Sequence, residues 1–420
     1  MSDFAITVLL AVTVFTSVIL LLVIVLNVLS NFLLPQGEVD IIINDDPSKS
    51  LKVQTGSTVL SALSSQNVYL PSACGGQGTC AQCKCQVIEG GGEILTTEKA
   101  YISRKDQKDH WRLGCQVKIR DNMKIKVPDE IFSIRKWDAV VKSNDNVATF
   151  IKELILELPA DDPILFESGG YIQIDVPKYK DIDYKNFDIG EEYRDDWDKF
   201  DVWRYKADNP EPVFRAYSMA NHPAEGNMIM LNIRIASPPP DNPNVPPGIA
   251  SSYVFDLKAG DKVTVSGPYG EFYIKDTDRE MVYIGGGAGM APMRSHLFHL
   301  FHTMKTKRKV TFFYGGRSKR ELFYLDDFRN IEKEFPNFKF HVALSEPLPE
   351  DNWKEKKKLD DEGDGFVGFI HQIVIDHHFK LHESPEDIEV YFCGPPLMNQ
   401  AVLKMCDDWG IPEENVDFDD

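Results

Sequence analysis

Four cysteines constrain this chain more than any other feature: Cys74, Cys80 and Cys83 in one ten-residue loop, and Cys115 beyond it. The pattern is C-x5-C-x2-C, with 31 residues before the fourth cysteine. Three thiolates in one loop, with a fourth brought in by the fold, make a tetrahedral sulfur cage suited to a [2Fe-2S] cluster. Gly75, Gly76 and Gly78 let the backbone curl around a compact charged object, and its turned amides can donate to cluster sulfurs. Zinc is the rival occupant, but structural zinc usually takes two separated C-x2-C knuckles. Cys85, in a strand-like run, reads as a buried bystander thiol.

The other totals agree with an intracellular redox protein. The 420 residues suffice for about three domains. A net charge of −19 argues against a nucleic-acid partner, since phosphate contacts need basic patches. Seven cysteines, four with a role already, do not make a disulfide framework and point to a reducing compartment.

The amino terminus is a separate piece. Phe4 to Leu29 is 26 residues without a charge. As a helix it would be about 39 Å long, against a hydrocarbon core of about 30 Å. One membrane span through residues 4–29 is the direct reading. A signal peptide is disfavoured because Met1–Asp3 has no basic region and no A-x-A-like site follows. A core helix is disfavoured because the run is apolar all round. Lys49 and Lys52 weakly favour a cytoplasmic body.

Beyond this anchor (1–35) the chain divides into three domains. Residues 36–130 alternate strands at Val39–Ile43, Ser50–Val53, Cys85–Ile88, Leu113–Ile119 and Met123–Val127 with helices near Val59–Leu63 and Thr97–Lys105, an α+β pattern. Residues 131–278 read as an antiparallel barrel with strands at Trp137–Lys142, Phe150–Glu157, Gly170–Val176, Phe214–Ala220, Asn227–Ile235 and Lys262–Ser266. An acidic, aromatic insertion, about 178–212, interrupts it, packed either on the barrel or against a partner. Residues 279–420 switch to βα units, with strands at Met281–Ile284, Val310–Tyr314, Phe338–Leu344 and Glu389–Phe392 and a helix at Met293–Met304. That alternation implies a parallel sheet flanked by helices.

Five motifs carry chemistry in the second and third domains. Arg215-Ala216-Tyr217-Ser218 puts Arg215 and Tyr217 on one strand face and Ser218 on the other, suiting a flavin's diphosphate, ring and nitrogens. Gly248, Ser251 and Ser252 open a helix able to hold a diphosphate. Gly267-Pro268-Tyr269-Gly270-Glu271-Phe272 closes the barrel. Gly285-Gly286-Gly287-Ala288-Gly289-Met290-Ala291-Pro292 is a strand–turn–helix whose glycines allow close approach of a pyrophosphate. Cys393-Gly394-Pro395-Pro396 ends the last clear strand. Arg317, Ser318 and Arg320 could accept a 2′-phosphate, leaving NADH and NADPH both open on chemistry. His377 and His378 are adjacent and splay apart. The runs Lys305–Lys309 and Lys354–Lys358 are solvated faces, and Cys406 is core.

These residues carry resemblances. The cysteine domain resembles plant- and vertebrate-type β-grasp ferredoxins, with x5 spacing similar to hydroxylase-type members. Arg215–Ser218, Gly248–Tyr253, Gly267–Phe272, the G-x-G-x-G-x-x-P turn Gly285–Pro292 and Cys393–Pro396 resemble the ferredoxin–NADP reductase family. That resemblance implies FAD, and a cysteine at the hydride path, Cys393. The whole order resembles the F subunits of the sodium-translocating NADH:quinone oxidoreductases. It implies NADH as donor, FAD as acceptor, a [2Fe-2S] cluster next, and other membrane subunits of a bacterial inner-membrane complex, with the soluble domains cytoplasmic. Cys393, Ser218 and Tyr217 are then the catalytic candidates. Arg215, Gly248, Ser251, Ser252, Tyr269, Gly285, Gly286, Gly287, Gly289, Pro292, Gly394 and Pro395 are candidate cofactor contacts. The family resemblance also implies a flavin-stacking aromatic near the carboxyl terminus, here Phe418. Two other readings remain: a reductase component of an oxygenase system, and a zinc-stabilised, membrane-tethered binding module.

Overall fold

In the computed structural model, residues 3–33, 37–72, 74–239, 242, 244–270 and 272–419 are described; Glu271 of the barrel-closing motif lies outside them. They form two compact units, residues 1–134 and 135–420.

The first unit opens with helix α1 (Asp3–Leu33). Its stretch Val8–Val25 is long and apolar enough to cross a bilayer, with mean hydropathy 3.1. There follow β1 (Glu38–Ile43), β2 (Asp46–Gln54), α2 (Val59–Ser65), β3 (Lys84–Glu89), α3 (Arg104–Lys108), β4 (Trp111–Leu113) and β5 (Met123–Lys126). The sheet order is β2-β1-β5-β3-β4, with β1 and β5 parallel at its centre. Thr58 caps α2, its hydroxyl accepting the amide of Ser61 at 3.2 Å, and Val59, Leu60, Ala62 and Leu63 face the core.

Two elements differ from the sequence expectation, for local reasons. The helix expected over Thr97–Lys105 begins at Arg104, because Ser103 and Asp106 form a reciprocal capping box there. Glu98 is meanwhile drawn inward to Arg112. The strand expected over Leu113–Ile119 stops at Leu113. The amides of Gln116 and Val117 both fold back to the Leu113 carbonyl, at 2.8 and 3.1 Å, and this turn presents Cys115.

The second unit combines a barrel and a parallel sheet. Its barrel strands are β6 (Arg135–Ala148), β7 (Ile151–Glu157), β8 (Tyr171–Val176), β11 (Val213–Ser218), β12 (Met228–Arg234) and β13 (Lys262–Tyr269). Their order is β11-β8-β13-β6-β7-β12, all antiparallel. The two edges meet through a Met219–Leu231 bridge, and the Ala220 amide donates to the Met230 carbonyl at 2.7 Å. Closure removes the exposed strand edges. Helix α5 (Ile249–Asp256) plugs one side with Ala250 and Val254.

The insertion contributes β9 (Tyr179–Asp183), α4 (Arg194–Lys199) and β10 (Lys206–Asn209). Of the two expectations for it, the structure shows packing on the barrel. Tyr184, Phe187, Trp197 and Val202 are buried with Ile235 and Phe255 of the barrel half. Trp197 donates its indole N–H to the Thr149 carbonyl at 2.8 Å. Each such buried large side chain contributes about 1.5–3 kcal/mol.

The parallel sheet comprises β14 (Met281–Gly286), β15 (Val310–Gly316), β16 (Phe338–Leu344), β17 (Phe366–Val367), β18 (Glu389–Cys393) and β19 (Val416–Asp419). Helices α6 (Met290–Phe298), α7 (Leu325–Glu334), α8 (Ile370–His377) and α9 (Pro396–Asp408) flank it. The order is β17-β16-β15-β14-β18-β19. Strand order therefore reverses between β14 and β18, the crevice where such sheets bind ligands. The helix expected over Met293–Met304 starts earlier, at Met290, and its last turn, His299–Thr303, widens into a π-helix.

Candidate functional site

Three sites emerge. In the first unit, Cys80 donates to the Cys74 sulfur at 3.4 Å, and Gln116 Nε2 donates to Cys115 at 3.6 Å. Burial disfavours a Cys74 thiolate, but the amides of Thr79 and Cys80 outweigh it and bring the thiol down to about 6. The hydrogen bond from Cys83 brings Cys115 down to about 7, and the same bond, together with burial, pushes Cys83 upward. Two of the four sulfurs are thus drawn toward the iron-binding form. Gly75, Gly76 and Gly78 all have positive φ, and a Cβ on Gly76 would come within 3.9 Å of the Cys115 Cβ. The donor set fits a [2Fe-2S] cluster. Burial pushes Cys85 up to about 12, leaving it an inert neighbour.

Below this loop a carboxylate and a guanidinium brace the fourth cysteine. Arg112 holds Glu98 through Nε and Nη2 at 2.9 and 2.7 Å, and also donates to the carbonyls of Gly91, Gly92 and Glu93. Glu98 in turn accepts the Leu113 amide at 3.0 Å, two residues before Cys115. Sequence reasoning missed this pair, since its partners are joined only by folding.

The second site lies on the barrel. Arg215 donates to its neighbour's carbonyl, Phe214, at 2.7 Å, and Tyr217 rests against the barrel core, half-buried. The Ser218 hydroxyl donates to the Asp419 carboxylate, tying the barrel to the parallel sheet. Gly248 caps α5, and Ser252 donates to its carbonyl at 2.6 Å. Ser252 is fully buried and also bonded to Tyr184, and Ser251 accepts the Ala236 amide at 3.1 Å. Both hydroxyls are committed inward, leaving the helix-start amides to meet an anion. Tyr269 is likewise buried, stacked on Tyr171 at 5.2 Å and bonded to Ser266.

Phe418, the expected flavin-stacking aromatic, lies on β19 and is 39% exposed. It pairs with Phe392 in register and stacks on it at 5.1 Å, on the sheet face opposite Cys393. Strand alternation puts Asp419, paired with Cys393, on the barrel-motif side instead. No sequence signal marks Asp419, because its position depends on β19 pairing with β18.

The third site is the crevice itself. Gly285 of β14 pairs with Cys393 of β18, and Gly286, Gly287 and Pro395 line a cavity of about 490 Å³. Glycine is required at 289, where a Cβ would stand 2.1 Å from the Cys393 carbonyl oxygen. A Cβ on Gly286 or Gly394 would meet the Met398 side chain at 2.7 or 2.2 Å. Pro292 sits buried in the first turn of α6, where its missing N–H costs nothing. Arg320 is engaged by Asp195 and Asp196, and Ser318 is buried, so Arg317 alone of that trio lines the cavity.

A sulfur-caged ferredoxin domain, a closed antiparallel barrel and a parallel sheet with its glycine turn at the switch point define an iron–sulfur flavoprotein reductase. Family models agree: a 2Fe-2S iron-sulfur cluster binding domain matches residues 42–120, an oxidoreductase FAD-binding domain 202–274 and an oxidoreductase NAD-binding domain 283–404. Curated relatives specify further. The F subunit of the Na(+)-translocating NADH-quinone reductase of Actinobacillus succinogenes is 53% identical over 97% of this chain and 97% of its own length. The protein of the same name from Neisseria gonorrhoeae is 52% identical over 98% and 99%. The chain belongs to this F-subunit family. Among solved structures, the Amycolatopsis cytochrome P450 reductase GcoB shares the fold at TM-score 0.62 and 22% identity, over 90% of this chain and 98% of its own. A ferredoxin reductase of carbazole 1,9a-dioxygenase does so at 0.59 and 23%, over 91% and 98%.

Proposed function

We propose that this chain admits electrons from NADH to a membrane-bound, sodium-translocating quinone reductase and delivers them to its other subunits. NADH lies in the crevice, its diphosphate on the amides at the start of α6 and its nicotinamide beside Cys393. Arg215, Tyr217 and the start of α5 hold FAD, and Cys74, Cys80, Cys83 and Cys115 hold the [2Fe-2S] cluster. Together these groups convert a two-electron hydride into single electrons. Cys393 serves by shape rather than as a nucleophile, with its backbone fixed against Gly289. The Ser218 hydroxyl, held by the Asp419 carboxylate that accepts its hydrogen bond, is the group placed to orient the flavin and to relay the solvent proton that its reduction consumes. On this reading the cluster domain spans 36–130, the FAD domain 131–278 and the NADH domain 279–420.

One observation carries this reading: the Ser218–Asp419 bond joins the barrel motif to the strand lying beside Cys393. Helix α1 anchors the chain by a single pass in the bacterial inner membrane, and the remainder faces the cytoplasm, where NADH is supplied. The experiment is Cys83→Ala in the full chain. Flavin bleaching by NADH should persist while transfer to the other subunits stops; onward transfer without the cluster refutes the order.

A further inference from the structure

The insertion at 178–212 has structural contacts but no function in the reading above. Its contacts converge on one place. Phe150 lines the dinucleotide cavity, and behind it lie Trp197 and Phe200 of the insertion, with ring centroids at 5.9 and 6.1 Å. Arg317, also on the cavity wall, places its guanidinium over the Phe200 ring at 5.6 Å. Arg234, a third wall residue, lies over Phe150 at 5.8 Å. Two polar ties then lock this corner across the barrel and the parallel sheet. Arg320 bridges to Asp195 and Asp196 of α4 at 2.8 and 3.0 Å, and Thr149 donates to Glu321 at 2.5 Å.

The position of this corner is informative. With the nicotinamide beside Cys393 and the diphosphate at Gly286–Gly287, the cavity that remains runs over the ends of β15 and β16, past Gly315, Arg317 and Ser345. That half is left for adenosine. A cavity wall that carries the Phe150 ring together with the Arg234 and Arg317 guanidiniums is a surface on which a purine stacks and beside which a phosphate is attracted.

We propose that the insertion is a positioning element for the adenosine half of NADH: Phe200 and the Arg320–Asp195/Asp196 tie hold Phe150 and Arg317 in place to receive the base and its ribose. This rests on the placement of NADH proposed above. It assigns the insertion to substrate binding rather than to hydride chemistry.

The test uses Phe200→Ala in the full, cofactor-loaded chain, since Phe200 is 36% exposed and its truncation leaves the core intact. Affinity for ADP-ribose, measured by calorimetry, should fall about five- to tenfold, and KM for NADH should rise by a similar factor with kcat unchanged. Reduced nicotinamide mononucleotide, which lacks adenosine, should reduce the flavin with unchanged kcat/KM. Arg320→Gln should shift ADP-ribose affinity in the same direction. Unchanged ADP-ribose affinity in Phe200→Ala, or an equal loss with the mononucleotide, overturns the inference. Phe369→Asp, a carboxylate placed at the cavity mouth, separates this from the placement itself. If it leaves ADP-ribose binding intact, NADH lies elsewhere; if it weakens binding while Phe200→Ala does not, only the role of the insertion fails.

Discussion

Replacing Arg112 by Met tests whether the buried ion pair supports the cluster loop. Side-chain exposures are 9% for Arg112 and 0% for Glu98. The variant would strand a carboxylate out of water and leave three carbonyls, those of Gly91, Gly92 and Glu93, without their donor. Removing one partner of such a pair costs about 3–5 kcal/mol. At about 4–8 °C per kcal/mol for a domain of this size, the first unit should melt at least ~12 °C lower. Removing both charges, as Glu98→Leu/Arg112→Met, should cost less than the single change, because no charge is then stranded. Although burial opposes it, the hydrogen bonds from Arg112 and the amides of Leu95 and Leu113 hold the Glu98 carboxyl below its usual range. A lowered folded value means the pair stabilises the fold above the unfolded value of about 4.3, and that support fades as pH falls through the folded one. The assay is thermal loss of cluster absorbance, followed from pH 7 downward, for wild type, both singles and the double. A single variant melting within about 2 °C of wild type, or a double variant worse than Arg112→Met, would refute the reasoning.

Three further outcomes are expected. Asp419→Asn keeps a hydrogen-bond acceptor for Ser218 but removes the carboxylate charge that orders this hydroxyl for proton relay, so flavin reduction should slow about 10²-fold with little change in KM; stopped-flow absorbance would show it. Gly289→Ala forces a methyl into the Cys393 carbonyl, so NADH oxidation should fall while the cluster's paramagnetic signal, measured after dithionite reduction, survives. His296, stacked on Phe272 at 4.8 Å, is brought down to about 4 by burial. Its neutral form therefore stabilises the second unit above about pH 6.5, and that support is lost progressively between 6.5 and 4; a melting temperature flat across this window would contradict it.

Much of this architecture could be read from local pattern. Period-2 stretches located the barrel strands, as at Asn227–Ile235 against Met228–Arg234, though β6 runs six residues beyond its expected end at Lys142. The glycine turn at Gly285–Pro292 announced itself because strand, turn and helix are contiguous. What stayed hidden depends on residues far apart in sequence. Asp419 reaches Ser218 only once β19 has paired with β18, because alternation along a strand follows the partner's register. Ser251 and Ser252 read as part of a helix start able to hold a diphosphate, yet their hydroxyl bonds run to Gly248, Ala236 and Tyr184. The insertion's composition announced packing, but its choice between barrel and partner required seeing Phe255 and Ile235 beneath Trp197.

The pairing of Gly285 with Cys393 also bears on how the protein is made. More than a hundred residues separate the two halves of the nucleotide crevice, so a ribosome must finish most of the carboxyl-terminal half before that gap can close. Such distant strand partners join slowly. Until they do, β14 carries an unfilled flank, and the nascent chain is most exposed to misassociation at the strand that will line the crevice.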